Sequence, residues 1–155
     1  MILKSYIIEQ DINILEKYIS TIFYGENDGI KDDIKKEIKS KNKNAEIINL
    51  FQEEIIKNKN ILIDQINNSS LFFSKKIIFL HEASDKIFEQ LIKSLEENIQ
   101  DIKIYIFANI LEKRSKVRTY FEKENNLGIV ACYQDNERTL SNYISLKLKG
   151  YNGLS

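Results

Sequence analysis

The sequence predicts an α/β fold, a mostly parallel five-stranded sheet with helices on both faces. Three observations carry that expectation. Apolar runs of strand length alternate along the chain with stretches whose apolar residues recur at helical spacing. The runs are solidly apolar rather than alternating, as strands are when both sheet faces are covered. The helical stretches are long enough to cross back between parallel neighbours.

In chain order, SYIIEQDINILEKY reads as a leading helix. ISTIFYG, from Ile19 to Gly25, is β-branched and aromatic and ends in glycine, which makes it the first strand. DGIKDDIKKEIKSKN spaces Ile30, Ile34 and Ile38 four apart, one apolar stripe on a charged helix. AEIINLF, from Ala45, is the second strand. QEEIIKNKNILIDQINN carries Ile55, Ile56, Leu62, Ile63 and Ile66 at helical spacing, with an interruption near Asn58–Asn60. KKIIFL is the third strand. SDKIFEQLIKSLEENI opens on Ser84 as N-cap and lines Ile87, Leu91, Ile92 and Leu95 along one face. DIKIYIFAN, from Asp101, is the fourth strand. KRSKVRTYFEKEN is a basic helix with Ser115 near its start, GIVACY the fifth strand, and NERTLSNYISLKLKG a last amphipathic helix.

Composition narrows the function classes. At 155 residues the chain is one domain by length and can bury a real core. Lys+Arg and Asp+Glu are both 23, so no overall basic charge argues for nucleic acid. Ile, Lys and Asn are overused and Pro and Trp are absent, a bias expected of an AT-rich genome. A single cysteine fits a reducing cytoplasm, and Cys132, inside GIVACY, reads as a buried inert thiol. No stretch approaches the roughly 20 apolar residues of a membrane span, and the start meets charge too soon for a signal peptide. A cytoplasmic location is expected.

Ligands of such sheets sit at the carboxyl ends of the strands, which directs attention to the first loop, YGENDGIKDD. A phosphate-binding P-loop needs G-x-x-x-x-G-K-[ST]. Counting from Gly25, through Glu26 and Asn27, Lys31 falls at the lysine position, but Ile30 replaces the second glycine and Asp32 the hydroxyl residue. Asp28, Asp32 and Asp33 already offset the positive end of the following helix. The loop reads as a degenerate P-loop that serves as turn and helix cap, with no nucleotide and no cofactor expected. Catalytic constellations are thin: His81 with Glu82 reads as a surface or turn pair, Asp135 and Glu137 as an ordinary acidic first turn, and metal-ligand spacing is absent. Lys113, Arg114, Lys116 and Arg118, with Tyr120 and Phe121, make a basic cluster. It offers a solvated face, a protein contact or a nucleic-acid contact.

One stretch fits none of these readings cleanly. NNSSLFFSKKIIFLHE places Leu71, Phe72 and Phe73 directly after four turn-forming residues. Either these apolar residues begin the third strand, or they form a hydrophobic tip offered to a partner.

Taken together, STIFYGEN, NNSSLFFSKKIIFLHEAS, LEKRSKVRTYFEK and IVACYQDNERTL resemble, in this order, the N-terminal domain of the delta subunit of bacterial DNA polymerase III. The resemblance runs from about Ile19 to the end of the chain. It covers the first third to half of a typical family member. It implies a RecA-like, AAA+-like P-loop fold that does not use ATP. By the same resemblance, residues 1–140 form the clamp-binding domain, and 141–155 begin the helical lid domain of a longer protein. The implied function is that of the clamp loader subunit that binds the sliding clamp and opens the ring. Such a subunit is itself non-catalytic but belongs to a DNA-directed DNA polymerase holoenzyme. Its implied partners are the clamp (the beta subunit), the gamma/tau and delta prime subunits, and primed DNA. The clamp contact falls on Leu71 and Phe72, with Ser69 where some members carry another apolar residue and Phe73 following the motif. Lys113, Arg114, Lys116 and Arg118 would meet DNA or a neighbouring subunit. The alternatives are an ATP-binding ATPase domain of the same fold and a DNA-binding module built on the basic helix.

Overall fold

A computed structural model describes residues 1–68, 70, 72–97 and 99–133. The anticipated last helix, the acidic pair Asp135 and Glu137 and the domain boundary at residue 140 lie outside these residues. Six strands form one sheet, rather than five: β1 (Ile2–Lys4), β2 (Ser20–Tyr24), β3 (Glu46–Phe51), β4 (Lys76–Ala83), β5 (Ile102–Ala108) and β6 (Leu127–Ala131), in the order β1-β6-β2-β5-β4-β3. Every pairing is parallel. The unanticipated strand is β1. Three residues are too short to show a period, and Ile2–Lys4 becomes a strand only through its register with Ile129–Ala131. Met1 helps fix it, its ammonium group donating to the carbonyls of Phe121, Glu124 and Leu127 at 2.8, 3.0 and 2.9 Å.

The helices follow from the stripes with local corrections. The leading helix is two pieces, α1 (Ser5–Gln10) and a 3-10 segment Ile12–Lys17. Asp11 separates them, its side chain accepting from the Asn13 amide. α2 (Asp28–Lys41) buries Ile30, Ile34 and Ile38. The expected break at Asn58–Asn60 divides α3 (Gln52–Lys57) from α4 (Ile61–Asn67). Ser84 caps a 3-10 turn, Asp85–Ile87, that runs into α5 (Phe88–Leu95). α6 is Lys116–Lys123, capped by Ser115, so Lys113 and Arg114 precede the helix instead of lying in it.

Right-handed crossovers sort the helices by direction. Connections that run from β1 towards β3 in the strand order place α1 and α2 on one face. Connections running the other way place α3 to α6 on the opposite face. Successive strand residues point to opposite faces, and the two cores differ in character. Ile22, Ile78, Leu80, Ile104, Ile106 and Ile129 meet α3 to α6 as an aliphatic layer. Phe23, Phe79, Tyr105 and Phe107 meet α1 and α2 as an aromatic layer, with ring centroids 5.3 to 6.5 Å apart. Cys132 is fully buried in this second core. Among the described residues no helix is long and apolar enough to cross a membrane.

A carboxylate ties the α5 and α6 regions together. Asp85 accepts from Ser115 Oγ at 2.7 Å, from the Lys116 amide at 2.9 Å and from the Val117 amide at 3.1 Å. It thereby occupies the positive end of α6. Desolvation alone would raise its pKa, but these hydrogen bonds outweigh it and hold the group below the ordinary 3.8.

Two stability predictions follow from this packing. Phe79→Ala, in the middle of the aromatic layer, should cost about 3–5 kcal/mol in a urea titration. Asp85→Ala should cost about 1 kcal/mol at neutral pH, as loss of a helix cap does. Because the folded pKa is depressed, the Asp85 contribution is fully present above pH 3.8 and is lost as the pH falls through the lower folded value. Wild type and Asp85→Ala should therefore converge in stability on acidification.

Candidate functional site

Both sheet faces are covered, so chemistry is confined to the two rims where strands begin and end. At the carboxyl rim, β2 and β5 lie side by side and send their helices, α2 and α6, to opposite faces. The crevice between them is the usual ligand position of such a sheet. The loop that fills it begins at Gly25, whose φ of 118° lies in the region that favours glycine. A Cβ there would stand 2.2 Å from the Cys132 carbonyl oxygen. The loop's amides are engaged within the protein: Gly25 N–H donates to Asn109 O and Asn27 N–H to Cys132 O, each at 2.8 Å. Asn27 caps α2 by accepting from the Ile30 amide at 3.2 Å, and its Nδ2 donates to Tyr133 O. Glu26 is exposed.

Lys31 completes the closure. Only 7% exposed, it donates from Nζ to Gly25 O at 2.8 Å and Ala108 O at 3.0 Å, and pairs with Asp28 at 3.1 Å. It joins the ends of β2 and β5 from within. Gly25, Glu26, Asn27 and Lys31 are thus brought together, with the lysine pointing under the loop.

Beside the loop lies a cleft of about 290 Å³ lined in part by Asp32, Lys35, Phe51, His81 and Glu82. His81 is not at the end of its strand, because β4 continues to Ala83. Its ring stacks on Phe107 at 5.6 Å and its Nε2 lies 3.0 Å from Asn49 Oδ1. Burial, then Lys35 and Lys39, hold its pKa below 6.5, so the imidazole is neutral at pH 7. Among the described residues no group of three or more His, Cys, Asp or Glu side chains could hold a metal ion.

The basic cluster divides. Lys113, Arg114 and Lys116 are exposed, with Arg114 3.5 Å from Glu112. Arg118 turns inward: Nη1 donates to Leu111 O at 2.8 Å, Nε to Glu122 at 3.3 Å, and the guanidinium lies 5.0 Å from the centre of the Tyr24 ring. The amides at the start of α6 are already taken by Asp85 and Ser115.

The opposite, amino rim carries the loop between α4 and β4. Phe72 is 88% exposed, more than any other large hydrophobic among the described residues. Phe73 is 42% exposed and leans into a groove that also includes Ile66, Lys76, Asp101 and Ile102. Ser70 Oγ accepts from the Phe72 and Phe73 amides at 3.4 and 3.1 Å, a side-chain turn that orders the two aromatics. Ser69 and Leu71 lie outside the described residues. Lys75 and Lys76, which the sequence placed in the third strand and in the segment that carries the resemblance without giving them a role, also sit here. Their signal was a paired lysine at the entrance to an apolar strand.

No protein-family model matches the sequence, and no curated protein matches it. By structure, the chain is similar to the DNA clamp loader delta protein of Bacillus subtilis, with a TM-score of 0.69 and 10% sequence identity. The match covers 94% of this chain and 47% of that protein, so the chain spans about half its length. At this identity the likeness is one of architecture: the chain has the fold of about half of a clamp loader delta protein.

Proposed function

We propose that this chain is the clamp-binding domain of a bacterial clamp loader delta subunit, a RecA-like domain with a degenerate P-loop. It docks an apolar tip, Leu71 and Phe72 flanked by Ser69 and Phe73, into a hydrophobic pocket of the sliding clamp and opens the ring without hydrolysing ATP. The observation that carries this reading is Phe72, 88% exposed in a chain whose fold is similar to that of a clamp loader delta protein. A single exposed phenylalanine is ordinary on a protein surface. What gives Phe72 weight is its place beside half-exposed Phe73 in the segment on which the family resemblance puts the clamp contact, where an aromatic side chain serves an interface as anchor. Burying Leu71 and Phe72 contributes about 1.5–3 kcal/mol each. Docking alone opens nothing. Ring opening follows only if the domain binds the open clamp more tightly than the closed one. The carboxyl rim supports the non-catalytic part of the reading, because Lys31 and the Gly25, Asn27 and Asp28 amides are committed to carbonyls. In the assembled loader the partners are the gamma/tau and delta prime subunits and primed DNA. The exposed Lys113, Arg114 and Lys116 favour a contact there with DNA or a neighbouring subunit.

Calorimetric titration against the sliding clamp of the same organism tests the proposal. Wild type should bind, and the Leu71→Ala, Phe72→Ala double variant should bind at least about 100-fold more weakly, from the burial energies above. A double variant that binds like wild type would overturn the tip as the contact. Titration with ATP and Mg²⁺ should give no binding heat, and saturable binding would favour the ATPase alternative.

A further inference from the structure

We infer that Lys76 is a positioning residue for the exposed tip, a role that rests on the docking reading above and deepens it. An exposed loop that must be ordered on binding loses affinity to that ordering, and a loop held in place beforehand does not. The structure shows how this loop is held. Lys76 opens β4, is 5% exposed and points to the face that carries α4. Its Nζ donates to Gln65 O at 2.8 Å and to Asn68 O. One is a carbonyl of the last turn of α4 and the other that of its C-cap residue, and neither has a partner within the helix. The ammonium group therefore caps the helix that enters the loop from the strand that leaves it, closing the loop across its base. The Lys76 amide donates to Asp101 O at 2.9 Å, so the base is also fixed to the neighbouring strand's entrance.

The preceding lysine works on the other side of the sheet. Lys75 Nζ donates to Asn42 Oδ1 at 3.0 Å, just beyond α2, and lies 3.4 Å from Glu16 Oε1. The chain leaving the tip is thus held towards both faces at consecutive residues. Lys75 is partly exposed and its ion pair is screened, so Lys76 is the stronger brace. Ahead of the braces, Ser70 Oγ accepts from the Phe72 and Phe73 amides. The chemistry at position 76 is particular to a lysine. An apolar stem crosses the core edge, and several donors at its end meet two carbonyls at once.

Lys76→Met keeps the stem and removes the donors. In the free chain, amide order parameters at Phe72 and Phe73 should fall from near the rigid value of about 0.85 to below about 0.6, while Ile78 and Phe79 stay rigid. Against the sliding clamp, Lys76→Met should weaken binding about tenfold. In a Phe72→Ala background it should add little, because both changes act through the same tip. Ile78→Val, a core change in the same strand, should leave tip order and clamp affinity unchanged. Should Lys76→Met fail to fold, Lys76→Gln, with a shorter reach, carries the same expectations. Unchanged order at Phe72 and Phe73, or a binding loss fully additive with Phe72→Ala, would overturn the inference. The tip order parameters are read without the clamp. A chain that does not bind the clamp but loosens at the tip in Lys76→Met would therefore sink the docking reading alone.

Discussion

A parallel strand cannot turn directly back into its neighbour, so each connection in this sheet is a crossover packed on one face or the other. With helices on both faces, nearly every side chain along the central strands is core. Of the polar side chains on those strands, His81 and Glu82 of β4 reach a cleft at the carboxyl rim. What remains are the two rims, and the handedness of the crossovers decides where β2 and β5 part company and leave a crevice. The aliphatic and aromatic cores, the Gly25 loop and the Phe72 tip all inherit their positions from this arrangement.

Each rim is governed by a buried lysine that donates to backbone carbonyls, with opposite results. At the carboxyl rim Lys31 draws the ends of β2 and β5 together and seals the crevice. At the amino rim Lys76 donates to the carbonyls at the end of α4, where the loop that carries Phe72 begins. Burying a charge is costly unless hydrogen bonds compensate it, so both positions demand close geometry from the carbonyls they meet. One lysine is drawn in under the loop it closes, and the other lies behind the loop that carries the proposed contact.

Much of the fold was legible in the sequence because its signals are local. Continuous apolar runs marked the five longer strands, the Ile30–Ile34–Ile38 stripe marked α2, and Asn58–Asn60, Ser84 and Ser115 marked breaks and caps that the structure contains. What was not legible depends on partners distant in the chain. β1 exists through pairing with β6, and Asp85 caps a helix that starts about thirty residues later. Arg118 reads as one more surface cation until Leu111, Glu122 and Tyr24 gather around it. The tip was the hardest case. Phe72 and Phe73 precede a strand and are composed like one, so period alone could not separate an exposed ring from a core residue. Only the family resemblance tilted the reading. The two lysines behind the tip were read as the start of a strand and part of the resembling segment, because their carbonyl partners are not visible in a sequence.

The alternation of Lys75 and Lys76 has a further consequence for how this loop can change over time. Their tethers lie on opposite faces only because the two residues are consecutive in an extended chain. Exchanging one tip side chain for another leaves that parity untouched. Adding or removing a single residue between Lys76 and Ile77 would turn each lysine towards the wrong face and release both tethers together. The tethers therefore tolerate a change of side chain in the loop but not a change of reading frame. Divergence on this rim should accumulate as substitutions, with insertions and deletions excluded from the junction with β4.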